Sequence, residues 1–475
     1  MALIREGNLK IYLSALILAV LFFCGCQTIP IQVKAPLENE GEVYLYIRTL
    51  PQDSERLRFS IEGVFAVGDE GTEYPLSVRL SEFNVREINR QRLVAFGALP
   101  PGPYSGLSFK VKSAILQTSE GDAELLVPEK PVRIDFPFRV EKKRSMVIST
   151  QFRYAESIQG GFSFSPSFSM LIPERPLISL MGFVSNSGSN NVTVFDKNKM
   201  EVTGVISTGS GPKGMAISPD RARAFVALSG EDSIEAIDIA GGNVLNDIRL
   251  SAGDRPLEIA LTPDGRILLS ANNGSNTVSI IDAVSSIETS RVQVGDGPQS
   301  IAIDQTGRRA FVFNNTAGTI SLIDIPLRAV AATIATEPHP IRGQFNRRGD
   351  RLYVISSGSP FLVILDPATL SVTRREFVGM KMNSLKVDTR TDLFYIGKKF
   401  DRDLAAYDPF SLVAVDYIRT DGAVDYMSID GEGNYLFLVT PERGTVSAVN
   451  LVSRKTAAIL DVGEIPYWVT MQGER

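Results

Sequence analysis

Residues 256–297 read PLEIALTPDGRILLSANNGSNTVSIIDAVSSIETSRVQVGDG, and this segment decides the fold. LEIAL, ILLSAN, TVSIID and TSRVQV are apolar runs of strand length, separated by turn residues and without the 3.6-residue spacing of a helix. Asp264-Gly265 is a hairpin turn, and the Asn-rich stretch from Asn272 to Asn276 supplies side chains that tolerate left-handed backbone. Four strands in 42 residues make one small antiparallel sheet.

Outward from this segment the pattern recurs. Its opening turn aligns with phase points at Pro212, Pro256, Pro298, Pro340, Met382, Val424 and Pro466, spaced 44, 42, 42, 42, 42 and 42 residues apart. A second marker agrees: Asp196, Asp238, Asp282, Asp324, Asp366, Asp408 and Asn450 each end an apolar run, and the two extra residues fall in the same repeat. A period near 42 with four strands per unit predicts a β-propeller blade, not a helical solenoid, and there are seven units. Before Pro212 only three strands are available, Gly182–Ser185, Val192–Phe195 and Val202–Ser207; after Pro466 only Tyr467–Met471 remains. Three plus one complete a blade, so the first and last strands should close the ring and leave no open edge.

The stretch Ser-Ala-Asn-Asn-Gly-Ser-Asn-Thr-Val-Ser-Ile-Ile-Asp, residues 270–282, resembles the YVTN family of propeller repeats. At Met382 and Val424 the proline is missing, and the resemblance there rests on spacing and on the strand-ending aspartates. The strand-ending aspartates recur once per blade without the oxygen-rich spacing of a calcium loop, which favours turn caps over an ion site.

Ahead of the repeats, Val43, Leu45 and Ile47 alternate with Tyr44, Tyr46 and Arg48, and similar alternation runs through Leu57–Glu62, Leu107–Lys112 and Val132–Val140. Short strands of this kind over residues 41–175 predict an antiparallel β-sandwich, with residues 176–475 forming the propeller. Lys142, Lys143 and Arg144 read as a solvated hairpin tip. The turn Leu99-Pro100-Pro101-Gly102-Pro103-Tyr104 resembles a corner of sandwich domains on bacterial envelope lipoproteins; from the residues alone it is a rigid turn with a packed tyrosine.

Arg5 and Lys10 precede a 13-residue apolar run, Ile11–Phe23, too short for the roughly 20 residues that span a bilayer. Residues 1–25 therefore read as a signal peptide. The ending Phe23-Cys24-Gly25-Cys26 resembles the bacterial lipobox, which implies lipidation of Cys26, a tether over residues 26–40 and anchoring in a membrane. Gln27 after that cysteine, in the lipoprotein families it resembles, implies the outer membrane, facing either the periplasm or the exterior.

Composition narrows the chemistry. At 44% apolar and 22% charged residues the chain buries a large core, and a net charge of −5 without a basic block offers no footprint for nucleic acid. One histidine and two cysteines exclude zinc fingers, CxxCH haem attachment and a disulfide framework, so no cofactor and no metal is expected. His339 lies between two prolines with no nucleophile assignable to it, which reads as a surface turn.

Candidate binding residues follow from the frame. The two positions after each phase point should ring one mouth of the channel, and their identities vary from blade to blade. Among them Lys213, Glu258, Gln299, Arg342, Asn383, Asp425, Tyr426, Tyr467 and Trp468 are candidate ligand contacts, with Tyr467 and Trp468 equally readable as packing between blades. The expectation is a lipid-anchored envelope binding or scaffold protein, taking a protein or other envelope component at the mouth. Two alternatives stay open. Propellers with similar repeats include lactonase-like hydrolases and quinoprotein-associated domains, and a propeller can also be a passive spacer.

Overall fold

The 42-residue period becomes seven four-stranded antiparallel sheets. The computed structural model describes residues 34–119 and 121–474; the expected signal peptide, Cys26 and most of the tether lie outside them. Blade 2 is built from Pro212–Ile217, Arg223–Leu228, Ser233–Asp238 and Asn243–Arg249, ordered from the channel outward. Blades 3 to 7 repeat this plan, with innermost strands Pro256–Leu261, Pro298–Ile303, Pro340–Phe345, Met382–Val387 and Tyr426–Asp430. The middle strands are buried on both faces, because each blade is sandwiched between two others, whereas outer strands such as Asn243–Arg249 are largely exposed. That is why the middle runs are continuously apolar instead of alternating.

Blade 1 closes the ring as expected. Its order is Glu201–Ser207, Asn191–Asp196, Met181–Asn186 and, innermost, Pro466–Met471. Val184 pairs with Val469 and Ser185 with Trp468, so the two distant parts of the chain share one ladder. The strand-ending residues are turn caps in all seven blades. The carboxylate of Asp282 accepts the backbone N–H of Val284 and Ser285, Asp408 does the same for Phe410 and Ser411, and Asn450 for Val452 and Ser453. The corresponding bonds form at Asp196, Asp238, Asp324 and Asp366. Those backbone donors hold Asp282, Asp366 and Asp408 below the usual carboxylate range.

The N-terminal part is one curled sheet, a half-barrel. Its strands are β1 (Gly41–Ile47), β2 (Leu57–Gly68), β3 (Glu73–Val78), β4 (Glu82–Phe83), β5 (Arg92–Leu99), β6 (Gly102–Thr118), β7 (Gly121–Glu124), β8 (Val132–Val140) and β9 (Ser145–Phe152). A small hairpin, β10 (Ile158–Gln159) with β11 (Ser163–Phe164), precedes β12 (Phe168–Leu171). The order along the main sheet is β12-β9-β1-β5-β3-β2-β6-β7, with β4 on β2 and β8 on β6. An antiparallel sandwich was expected; the strands instead form one continuous sheet, because β3 pairs with both β5 and β2 and joins what would have been two layers. The sheet curls until Phe59 on β2 stands 5.2 Å from Phe152 on β9, and Phe109 on β6 stands 4.8 Å from Phe168 on β12.

One pair, β1 with β9, is parallel. The Glu141–Arg144 turn is exposed as expected, but it is a crossover and not a hairpin tip. Its backbone bonds to the start of β1, Lys143 N–H to Glu40 O and Glu42 N–H to Arg144 O, carry the chain from β8 across to the other layer. Tyr104 is packed, its hydroxyl donating to Pro100 O at 2.9 Å.

All seven residues of β1 are buried, where alternation predicted one open face. Val43, Leu45 and Ile47 enter the half-barrel core, while Tyr44 and Tyr46 pack with Leu93 and Val147 against Val202 and Val205 of blade 1. Polar contacts fix this seam. Gln91 donates to Val202 O and accepts from Val202 N–H, and Asp461 at the outer edge of blade 7 takes Arg90 at 2.6 Å and Arg92 at 2.8 Å.

Candidate functional site

In six of the seven blades the innermost strand begins with an irregularity; in blade 7 it starts at Tyr426 and pairs in continuous register. In blade 3 Pro256 pairs with Asn272 and Glu258 with Ala271, so Leu257 has no opposite number. The same one-residue bulge strands Gln299, Ile341, Asn383 and Tyr467. A bulge re-aims the side chains around it, and here it divides the expected ring of candidates into two layers.

The first layer, at the end where the innermost strands begin, holds Lys213, Gln299, Asn383, Asp425 and Tyr467. Asn383 donates to Asp425 Oδ1 at 2.6 Å, and the Lys213 ammonium lies 4.3 Å from the Tyr467 ring centroid. Burial lowers the Lys213 pKa and raises that of Asp425, and it pushes Tyr467 up to about 12.

The second layer crosses the channel. Arg342 of blade 5 reaches Glu258 of blade 3, Nη2 to Oε2 at 3.0 Å, and its guanidinium lies 4.7 Å from the Tyr426 ring and 5.1 Å from the Trp468 ring. Tyr426 and Trp468 stack on each other at 3.7 Å. All four are buried, with Arg342 only 8% exposed. The approach of Arg342 to Glu258 is poorly aligned for hydrogen bonding, and among the described residues Glu258 Oε2 and Arg342 Nε have no hydrogen-bond partner. Burial pushes Glu258 up to about 7, against the pull of Arg342 and of the Ile301 backbone N–H. Of the nine candidates, the fold thus brings Glu258, Arg342, Tyr426 and Trp468 into one plug and leaves the other five at the mouth.

Beyond the plug the channel widens into a cavity of about 610 Å3. Its walls are small and apolar on blades 2 to 4, at Ala216, Ala260 and Ala302, and polar at Gln344, Lys386 and Thr470 on blades 5, 6 and 1. Gln472, Gly473 and Glu474 border it. Glu474 pairs with Lys386 at 3.0 Å and accepts from Thr470 at 2.8 Å, while Gln472 Nε2 is buried without a partner. None of the five mouth residues lines this space. Glu258, Arg342, Tyr426 and Trp468 also border this space; sequence reasoning missed its deeper wall because it stopped two positions past each phase point. The signal lay two positions further, where alanine in three repeats gives way to Gln344, Lys386 and Thr470.

The repeat geometry is matched by comparison with known proteins. Residues 181–391 match the family model described as a YNCE-like beta-propeller. The YNCE-like match begins at the first strand of blade 1 and ends in blade 6. No curated protein matches the chain. Among solved structures, hydrazine synthase of Kuenenia stuttgartiensis is similar at 19% identity and a TM-score of 0.50, over 58% of this chain and 91% of that one. A protein of Desulfotomaculum acetoxidans, titled as functionally unknown, is similar at 14% identity and a TM-score of 0.55, over 62% and 99%. At these identities the likeness is one of fold.

His339 sits in an exposed loop, its Nδ1 3.2 Å from Asn315 O, apart from the plug. Among the described residues no group of three or more His, Cys, Asp or Glu side chains is placed to hold a metal ion, and no helix is long and apolar enough to cross a membrane.

Proposed function

We propose that the protein is an envelope-anchored binding propeller whose blind cavity holds a small polyhydroxylated ligand. The observation that carries this reading is the set of buried polar atoms around the cavity without a hydrogen-bond partner: Arg342 Nε, Gln472 Nε2 and Glu258 Oε2, the last facing Arg342 as an ion pair but not hydrogen-bonded to it. Leaving a buried polar atom without a hydrogen bond costs about 1–3 kcal/mol, so two such donors and one such acceptor around one space favour a molecule that supplies both donors and acceptors. Hydroxyl groups do both. A cavity of about 610 Å3 is in the range of small-molecule sites.

A thermal-shift panel of sugars and polyols on the full chain tests this. At least one should raise the melting temperature with concentration, and Ala260→Phe, which fills the cavity, should abolish the shift. Absence of any shift, or a shift that survives Ala260→Phe, removes the reading. Glu258 favours a second one, since a carboxyl near neutrality suits a general base. Turnover of a sugar lactone that disappears in Glu258→Gln would select the lactonase-like alternative.

The mouth layer, with Lys213, Gln299, Asn383, Asp425 and Tyr467, remains the surface we assign to an envelope partner, and Cys26 the point of anchorage. Labelling with radioactive palmitate should mark the protein in cells and vanish in Cys26→Ser, with the protein moving from the membrane to the soluble fraction. Equal labelling of Cys26→Ser overturns the anchor.

A further inference from the structure

The cleft where the half-barrel meets the propeller loops lies outside the channel and encloses about 570 Å3. Five arginines line it: Arg79 after β3, Arg90 and Arg92 at the start of β5, Arg402 ahead of the Asp403–Tyr407 strand of blade 6, and Arg443 in the Pro441–Arg443 turn of blade 7. The carboxylates are fewer. Asp461 is held by Arg90 and Arg92, Glu464 pairs with Arg79 at 3.3 Å, and Asp421 lines the wall. Five guanidinium groups against three carboxylates leave a surplus of two positive charges.

Two features show that the cleft is under-satisfied as it stands. The guanidinium groups of Arg402 and Arg443 have no hydrogen-bond or ion-pair partner among the described residues. Thr445, only 7% exposed and part of the lining, has a buried hydroxyl with no partner. Guanidinium forks bind phosphate oxygens in pairs, a buried hydroxyl adds a donor, and a surplus charge of two matches a phosphate monoester.

We infer that this cleft binds a doubly charged phosphoryl group on a ligand larger than inorganic phosphate. Because one wall belongs to the half-barrel and the other to the propeller, the ligand ties the two together. The group is carried either by a soluble phosphate ester or by a phosphorylated lipid headgroup, and the same arginines serve both.

Calorimetric titration of the full chain at low salt with glucose 6-phosphate, against glucose, tests the soluble source. Pelleting with phosphatidylcholine vesicles, with or without phosphatidic acid, tests the lipid source. Binding is expected to one of the phosphorylated probes and not to its uncharged counterpart. The double variant Arg402→Ala with Arg443→Ala changes two exposed side chains whose guanidinium groups make no hydrogen bond or ion pair among the described residues, and should weaken binding by about tenfold or more, as expected for lost charge-assisted bonds. Thr445→Val should weaken it by a smaller factor at an unchanged melting curve. The proposal is overturned if neither phosphorylated probe binds, or if the double arginine variant binds as tightly as the wild type.

Discussion

Removal of residues 467–475 should abolish cooperative folding of the propeller. The segment contains nearly all of the innermost strand of blade 1, which pairs along its length with Met181–Asn186 and packs between the innermost strands of blades 2 and 7. Trp468, Val469 and Met471 are buried in a core shared with Val184, Met215, Phe437 and Val439. At about 1.5–3 kcal/mol for each fully buried large side chain, those three alone approach the 5–15 kcal/mol that separates typical folded and unfolded domains. The Met181–Asn186 strand would also be left as an open edge that invites pairing with other chains. The truncated protein should elute as an oligomer or aggregate on size exclusion and melt without a sharp transition. Adding a peptide of residues 464–475 in trans should restore some monomer. A truncated monomer that melts like the full chain would show that the ring does not depend on this strand.

How much of this was legible in the sequence depends on the range over which a residue acts. The phase points and strand-ending aspartates are local devices: each aspartate caps its own turn two or three residues on, so it must recur wherever the turn recurs, and the blade count and closure follow. The bulge after six of the seven phase points keeps the period intact while changing which side chains reach the channel. Counting could name Glu258 and Asn383 together but could not separate the plug from the mouth. Tyr44 and Tyr46 failed differently. Alternation marks a second face as polar, yet tyrosine serves equally well against another protein surface, and the surface in question is blade 1, about 160 residues further on. The cleft arginines were beyond reach altogether, since Arg79, Arg90 and Arg92 meet Arg402 and Arg443 only because the ring brings blades 6 and 7 round beside the half-barrel.

Lys197 had a visible signal that spacing alone did not weigh, and its replacement carries the second large expected effect. It follows the strand-ending Asp196, at a position held in the other repeats by Ile239, Ala283, Ile325, Pro367, Pro409 and Leu451. One lysine in an apolar column has to find a partner. Its ammonium, 1% exposed, donates to Asp430 Oδ1 at 2.8 Å, Glu432 Oε2 at 3.0 Å and Gln472 O at 2.9 Å, which ties blade 1 to blade 7 beside the closing strand. Asp430 is equally buried and also accepts the Gly433 N–H at 2.8 Å. Breaking a buried pair by removing one partner costs about 3–5 kcal/mol, because the remaining charge is stranded, whereas neutralising both partners costs far less. Lys197→Met should therefore destabilise the protein by that amount in urea denaturation, and Lys197→Met with Asp430→Asn should recover much of the loss. The coupling between the two changes should fall at the upper part of the 0.5–3 kcal/mol found for residues in direct contact. If Lys197→Met falls within about 1 kcal/mol of wild type, as most surface substitutions do, the latch across the closure contributes little, and the backbone ladder of the last strand holds the ring by itself.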